Sequence, residues 1–352
     1  MNITFLVGNG FDISAGIDTS YSGFYNWYCG QDSNVSNHVQ KFKQDILEDM
    51  NKPEKERTWA DFELGLGIYT KHFDVDTISQ FWDCYEDAML KLHEYIELQM
   101  RQVSSSISSE EKTRFCKGLL QISEELTEAE KEDITHILPG RANQGVKYQF
   151  ISFNYTMILD SFVKTASSQE LTSWINGSTR YSAKVNPNVL HVHGQLNNNP
   201  LMGVGNKLQI ENKGLREALQ EYLIKPMASA ALGDLSQEKA KKIISQSNII
   251  CIWGLSLGKT DSQWWEAIME WLGQNESNRL IVYWFTGGKV TKMLHTKVLR
   301  EKEKICDRLF GYSALTAEQM NEMRKRIFIV FDTQKVLRIS LQKNSKLAVA
   351  TK

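Results

Sequence analysis

Six short β-rich runs constrain what this chain can fold into: Ile3–Val7, Tyr148–Phe153, Val189–Val192, Asn248–Trp253, Leu280–Phe285 and Arg326–Phe331. Several are apolar at consecutive positions instead of alternating, a pattern suited to strands covered on both faces of a parallel sheet. Parallel strands need crossovers, and helical patterns fall between the runs. In Ser262–Leu272, Trp264, Trp265, Ile268, Met269 and Leu272 make one apolar stripe. That helix joins the run at 248–253 to the run at 280–285 as a βαβ unit. Strand, glycine turn, helix and strand together predict an α/β fold with a doubly wound, Rossmann-like, mainly parallel sheet.

Residues from about 30 to 147 break the alternation. They contain no convincing strand and read as helices over Val35–Met50, Asp61–Phe73, Ile78–Gln102 and Ser108–Leu126. Trp59, Phe62, Leu66 and Tyr69 recur at helical spacing, as do Phe81, Cys84, Tyr85, Met89, Leu92 and Ile96. The expected organisation is a discontinuous nucleotide-binding domain of residues 1–29 and 148–342, with a helical insertion over 30–147 after the first strand. Ser104–Ser109 and Pro139–Gln144 read as loops, and the polar segment 343–352 as a fraying tail.

With 352 residues the chain can bury a large core. Its 41 Lys and Arg against 42 Asp and Glu advertise no polyanion-binding surface, which argues against nucleic acid as a partner. Five scattered cysteines without a CxxC pair point to a reducing compartment and away from a zinc ribbon. The N-terminus lacks the basic start of a signal peptide, and no apolar run approaches the roughly 20 residues of a membrane span. The expectation is a soluble, cytoplasmic protein with no membrane association.

Four strand-end segments hold the candidate chemistry. In the first, Gly8-Asn9-Gly10 precedes Phe11 and Asp12 at a strand-to-helix turn. Glycines there let backbone approach a ligand, or simply let the turn pack. The second segment ends a strand in Phe153-Asn154-Tyr155-Thr156, where open α/β sheets bind ligands. The Asn154 amide can hold a ribose hydroxyl or a water, but taken alone the segment reads as a cap for the following helix. In the third, His191 and His193 share one face of a strand. His193, beside Gly194, is the acid/base candidate, and His191 is assigned to the core. A metal is not expected, because no third ligand is near and Asp160, Asp234 and Asp261 are remote in sequence. The fourth segment runs from Gly254 through Ser256 to Asp261, placing a serine for a phosphate or ribose and an aspartate for a ribose or a helix cap. Its letters Gly254-Leu255-Ser256-Leu257-Gly258 match a hydrolase nucleophile elbow, but His295 is the only histidine downstream and nothing marks Asp261 as its partner.

As an ordered set, these segments resemble the AbiH family of phage abortive-infection proteins. GNGFDISAGIDTSY looks like the family's opening, Trp59-Ala60-Asp61-Phe62-Glu63 resembles a second hallmark, and FNYT, VHG and GLS…D also fit. The order is also similar to sirtuin-like NAD-binding domains, including defence effectors that hydrolyse NAD. The resemblance implies catalytic roles for Asn154 and His193. It implies binding roles for Gly8, Asn9, Gly10, Gly254 and Ser256, with Phe11, Asp12, Phe153, Tyr155, Thr156, Gly194 and Asp261 completing the pocket. No cysteine pair is present for the structural zinc of deacetylating sirtuins, so protein deacetylation is not expected. The implied function is a defence effector that hydrolyses NAD to nicotinamide and ADP-ribose. The alternatives are a non-catalytic nucleotide-sensing or partner-binding module and, less favoured, a nuclease. A phage-derived trigger or a regulatory partner protein is implied, and a homo-oligomer is left open.

Overall fold

The structure is a computed structural model and describes residues 1–31, 35–104, 106–137, 144–291 and 293–344. The expected tail therefore lies mostly outside the described residues, as does most of the Pro139–Gln144 loop. Among the described residues seven strands form one sheet: β1 (Asn2–Val7), β2 (Val146–Ser152), β3 (Thr172–Asn176), β4 (Thr179–His191), β5 (Ile249–Trp253), β6 (Arg279–Trp284) and β7 (Ile327–Phe331). Their spatial order is β3-β4-β2-β1-β5-β6-β7. Every neighbouring pair is parallel except the β3–β4 hairpin. From the central β1 the chain winds outward through β2 to β4, then returns to the other flank of β1 and winds through β5 to β7. The direction of winding thus reverses between β1 and β5, the kind of place where open α/β sheets take their ligands.

The hairpin is the main departure from the expected strands. Of β4 the sequence pattern marks only residues 189–191, within the expected run 189–192, and β3 has no strand signal. Both strands are mostly exposed or half-buried, so they lack the continuous apolar run that marks the central strands. Pro187, which has no N–H to donate to a ladder, also falls within β4. The sheet accommodates it with a register irregularity: Val185 pairs with Tyr148 and Val189 with Phe150, so the proline lies in extra backbone outside the ladder. The two-residue Gly177-Ser178 loop, a recognisable hairpin signal, joins the strands.

Helices follow in chain order as α1 (Gly10–Ser14), α2 (Tyr21–Tyr28), α3 (Asn37–Met50), α4 (Phe62–Tyr69), α5 (Ile78–Arg101), α6 (Ser109–Leu120) and α7 (Glu128–Ile137) between β1 and β2. After β2 come α8 (Ile158–Ser167), α9 (Arg216–Leu223), α10 (Lys225–Ala231), α11 (Ser236–Ser245), α12 (Ser262–Gln274), α13 (His295–Phe310) and α14 (Ala317–Arg324). Alternate residues of β1 feed opposite faces, as a strand requires. Phe5 and Val7 join a core with α6, α8 and Val336–Ile339, whereas Leu6 joins one with α11, α12 and α13.

A third core is rich in aromatic rings. Phe24, Tyr25, Tyr28, Phe42, Trp59 and Phe62 pack with Met202, Val204, Leu219 and Leu223 from the far side of the sequence. This core draws on residues from both sides of position 147. Phe115 and Leu119 of α6 lie on the sheet, while α2 and the 202–224 segment complete the aromatic layer. This layer stands beside the carboxyl ends of the strands and forms one wall of the site described next.

Candidate functional site

A cavity of about 980 Å³ runs along the carboxyl ends of the strands. Its floor comes from residues just beyond β1, β2, β4, β5 and β6, and its opposite wall from α2, α5 and the Arg57–Glu63 segment. Eleven of the fourteen site residues expected from sequence line it: Asn9, Gly10, Asp12, Phe153, Asn154, Tyr155, Thr156, His193, Gly254, Ser256 and Asp261. Segments about 250 residues apart in sequence are thus brought to one opening.

Gly8, Phe11 and Gly194 do not line the cavity. Phe11 is fully buried, with its ring edge-on to Phe115, Phe162 and Trp253. A phenylalanine on the inner side of a short helix goes to the core, the larger gain in buried apolar area. Gly8 continues the β1–β5 pairing, its N–H donating to the Trp253 carbonyl at 2.9 Å. Gly194 turns the chain after β4 at φ +69, with the Asn199 carbonyl filling the space a side chain would need.

The glycine turn has a definite packing purpose. Gly10 donates to the Gly254 carbonyl at 3.0 Å, and a Cβ at Gly10 would lie 2.6 Å from the Gly254 α-carbon. Gly254 itself has φ +67. The two strand ends therefore meet backbone to backbone, which side chains would prevent. Asn9 is also engaged: its amide donates to the Thr19 carbonyl at 2.8 Å and its side-chain oxygen accepts from the Thr19 hydroxyl.

At the β2 end, Asn154 donates through Nδ2 to the Gly8 carbonyl at 3.1 Å. Its Oδ1 is buried and has no hydrogen-bond partner among the described residues. Thr156 donates to Asp12, with Oγ1 2.9 Å from Oδ1 and 2.8 Å from Oδ2. Burial of Asp12 dominates over that hydrogen bond and pushes its carboxyl up to about 7. Tyr155 is anchored by its hydroxyl on the Leu201 carbonyl at 2.9 Å.

The two histidines of β4 have different surroundings. His191 is satisfied, with Nδ1 3.0 Å from the Asn154 carbonyl and Nε2 3.0 Å from Asp160 Oδ2. That is the core role expected of it. His193 is 5 % exposed and lines the cavity, with the Phe153 ring edge-on at 5.2 Å. Its Nε2 lies 3.0 Å from Asp261 Oδ1, close enough for an ion pair but not aligned as a hydrogen bond.

Asp261 belongs to a longer chain of charge. Lys225 Nζ donates to Asp261 Oδ1 at 2.8 Å and to Glu63 Oε2 at 2.7 Å. The Gly203 N–H lies 3.4 Å from Glu63 Oε1. Burial acts against the charge on Asp261, but Lys225 and then His193 outweigh it and hold the carboxyl well below its usual range. Burial likewise opposes the Lys225 charge, and Asp261 and Glu63 reverse the balance, keeping the ammonium protonated. Nearby Asp61 caps α4 by accepting from the Leu64 N–H at 3.1 Å. Burial, followed by the Glu63 charge, pushes Asp61 up to about 6.

Sequence reasoning gave no place in the pocket to Glu63 or Asp61, and none behind its lining to Lys225. The Trp59-Ala60-Asp61-Phe62-Glu63 element was visible as a motif, but its contact with Lys225 spans 162 positions. Arg57, Arg308 and Arg338, which also line the cavity, had no signal. Ser256 is exposed at the rim, and His295 begins α13 and does not line the cavity, so the elbow letters acquire no triad. Among the described residues no group of three or more His, Cys, Asp or Glu is placed to hold a metal ion. No helix among them is long and apolar enough to cross a membrane.

No curated protein matches the chain. Residues 4–284, however, match the model of the family described as Bacteriophage abortive infection AbiH. That span holds most of β1, all of β2 to β6 and all four strand-end segments, and on this match the chain belongs to the AbiH family of bacteriophage abortive-infection proteins.

Proposed function

We propose that this abortive-infection protein binds NAD in a sirtuin-like manner across the strand ends and hydrolyses it to nicotinamide and ADP-ribose. One observation carries the reading. Asn154 Oδ1 is a buried polar atom without a hydrogen-bond partner among the described residues, and its side chain lines the same cavity as His193, whose Nε2 lies 3.0 Å from Asp261 Oδ1. An unmade buried hydrogen bond costs about 1–3 kcal/mol, so such atoms at a cavity are natural contacts for a polar ligand.

In the proposed reaction the bond between the ribose C1′ and the nicotinamide nitrogen breaks, and its electron pair leaves with nicotinamide. Water adds to the oxocarbenium-like C1′. Asn154 holds the ribose hydroxyl or the water through Oδ1, while its own amide is fixed on Gly8. His193 takes the proton. Glu63, Lys225 and Asp261 carry a formal charge of −1 between them, and Asp261 Oδ1 lies 3.0 Å from His193 Nε2. General acid–base help of this kind accelerates reactions by about 10²–10⁴-fold.

A second reading, a nucleotide sensor without turnover, draws support from the first turn. Asn9 is committed to Thr19 and Gly10 to Gly254, so that turn is held by its own packing. Chromatography of NAD incubated with purified protein separates the readings. Nicotinamide and ADP-ribose appearing together support hydrolysis. Intact NAD with a raised melting temperature supports the sensor and contradicts hydrolysis. Intact NAD with no thermal shift removes both.

A further inference from the structure

The cavity's far end, over β5 and β6, contains charge that the proposed reaction does not use. Arg308 reaches it from α13 on one face of the sheet. Arg338 reaches it from the segment whose neighbours Val336, Leu337 and Ile339 pack on the other face. The two side chains meet adjacent rings at the end of β6: the Arg308 guanidinium lies 5.7 Å from the Trp284 ring centre and that of Arg338 lies 5.9 Å from the Phe285 ring centre. Arg308 is further fixed by donating through Nη1 to the Ser256 carbonyl at 3.0 Å. Both residues are exposed, and neither has a carboxylate within ion-pair distance among the described residues.

Free arginines on a surface are commonplace. These two line one cavity, approach it from opposite layers, and are each positioned by an aromatic ring. A planar guanidinium so fixed retains its outward N–H groups for bidentate bonds to an anion. The acidic groups of the cavity, Asp12, Asp61, Glu63 and Asp261, belong to the turn after β1, the helical wall and the start of α12, with Arg57 beside them on the helical wall, whereas the far end holds two arginines. A ligand suited to it presents hydroxyls at the Asn154–His193 end and phosphate at the arginine end.

We infer that Arg308 and Arg338 form a phosphate subsite that grips the diphosphate of a nucleotide whose ribose lies toward Asn154 and His193. This rests on the reading that the cavity takes a nucleotide, and not on the nucleotide being cleaved. Both arginines lie beyond residue 284, outside the span matched by the family, so the subsite is a feature of this chain's C-terminal part.

The test is calorimetric titration of the full-length protein with ADP and, separately, with adenosine. The proteins are wild type, Arg308→Gln, Arg338→Gln and the double variant. NAD cleavage by wild type is assayed alongside. Wild type should prefer ADP over adenosine by about tenfold or more, the scale of one or two charge-assisted contacts. Each single variant should narrow that preference, and the double variant should bind both ligands alike. Lysine at both positions should restore part of the preference, because charge returns without the bidentate fork. An unchanged ADP preference in the double variant would overturn the subsite and leave the nucleotide pocket standing. Absence of any ADP preference in wild type would overturn it too, and absence of binding by both ligands would remove the nucleotide reading with it. ADP preference lost with the arginines, in a protein that leaves NAD intact, would uphold the subsite and reject hydrolysis.

Discussion

At one end of the cavity Glu63, Lys225 and Asp261 pair with one another beneath His193, while at the other Arg308 and Arg338 stand exposed on aromatic rings. The buried end holds its charges in fixed positions and tolerates them only as a paired set. The exposed end keeps its charges hydrated and loses little by leaving them unpaired. The same residue chemistry therefore has opposite consequences. Substitution at the buried end should disturb the fold as well as function, and substitution at the exposed end should disturb ligand binding alone.

The largest expected effect tests the buried end. Lys225→Met leaves Glu63 and Asp261 facing each other without their cation, and denaturant unfolding should show a loss of about 3–5 kcal/mol. Adding Glu63→Gln and Asp261→Asn to Lys225→Met should recover much of it, since the uncompensated charge is then gone. Equal losses in the single and triple variants would mean that packing, not charge, holds this end together.

A pH series sharpens the same point. Asp12 is raised by burial to about 7, above its value in an unfolded chain. Between roughly pH 4 and 7 the unfolded state loses this proton first, so the burial penalty develops and stability falls as pH rises. Asp61, raised to about 6, acts in the same direction over a narrower window. Asp12→Asn should therefore gain on wild type as pH goes from 4 to 7, by no more than about 4 kcal/mol. Parallel stability curves for the two proteins would contradict the assigned burial of that carboxyl.

The smallest expected effect belongs to the exposed end. Arg308→Gln should move the unfolding free energy by no more than about 0.5 kcal/mol, as surface changes usually do. A larger loss would make Arg308 a structural clamp on the Ser256 loop and erase the contrast between the two ends.

The two ends also differed in how much the sequence revealed. β1, β2, β5, β6 and β7 were legible because burial on both faces imposes continuous apolar runs, within two residues of the ends observed. The hairpin was not, because its exposed residues carry no such pattern and Pro187 interrupts β4. Asn154 and His193 stood out because a strand end gives a polar residue a predictable place. Lys225 did not, since a lysine before Pro226 reads as the first turn of a helix. Its significance depends on Glu63 and Asp261, which only the folded chain brings near. Arg308 and Arg338 were equally silent, because a guanidinium becomes informative only once the rings and cavity beside it are known.

The most direct measurement follows nicotinamide release from NAD by wild type, Asn154→Ala and His193→Ala, each first shown to melt cooperatively. Release by wild type, reduced by about 10²-fold or more in each variant, is the predicted result. Wild-type rates in both folded variants would contradict the claim that Asn154 and His193 are the reactive pair.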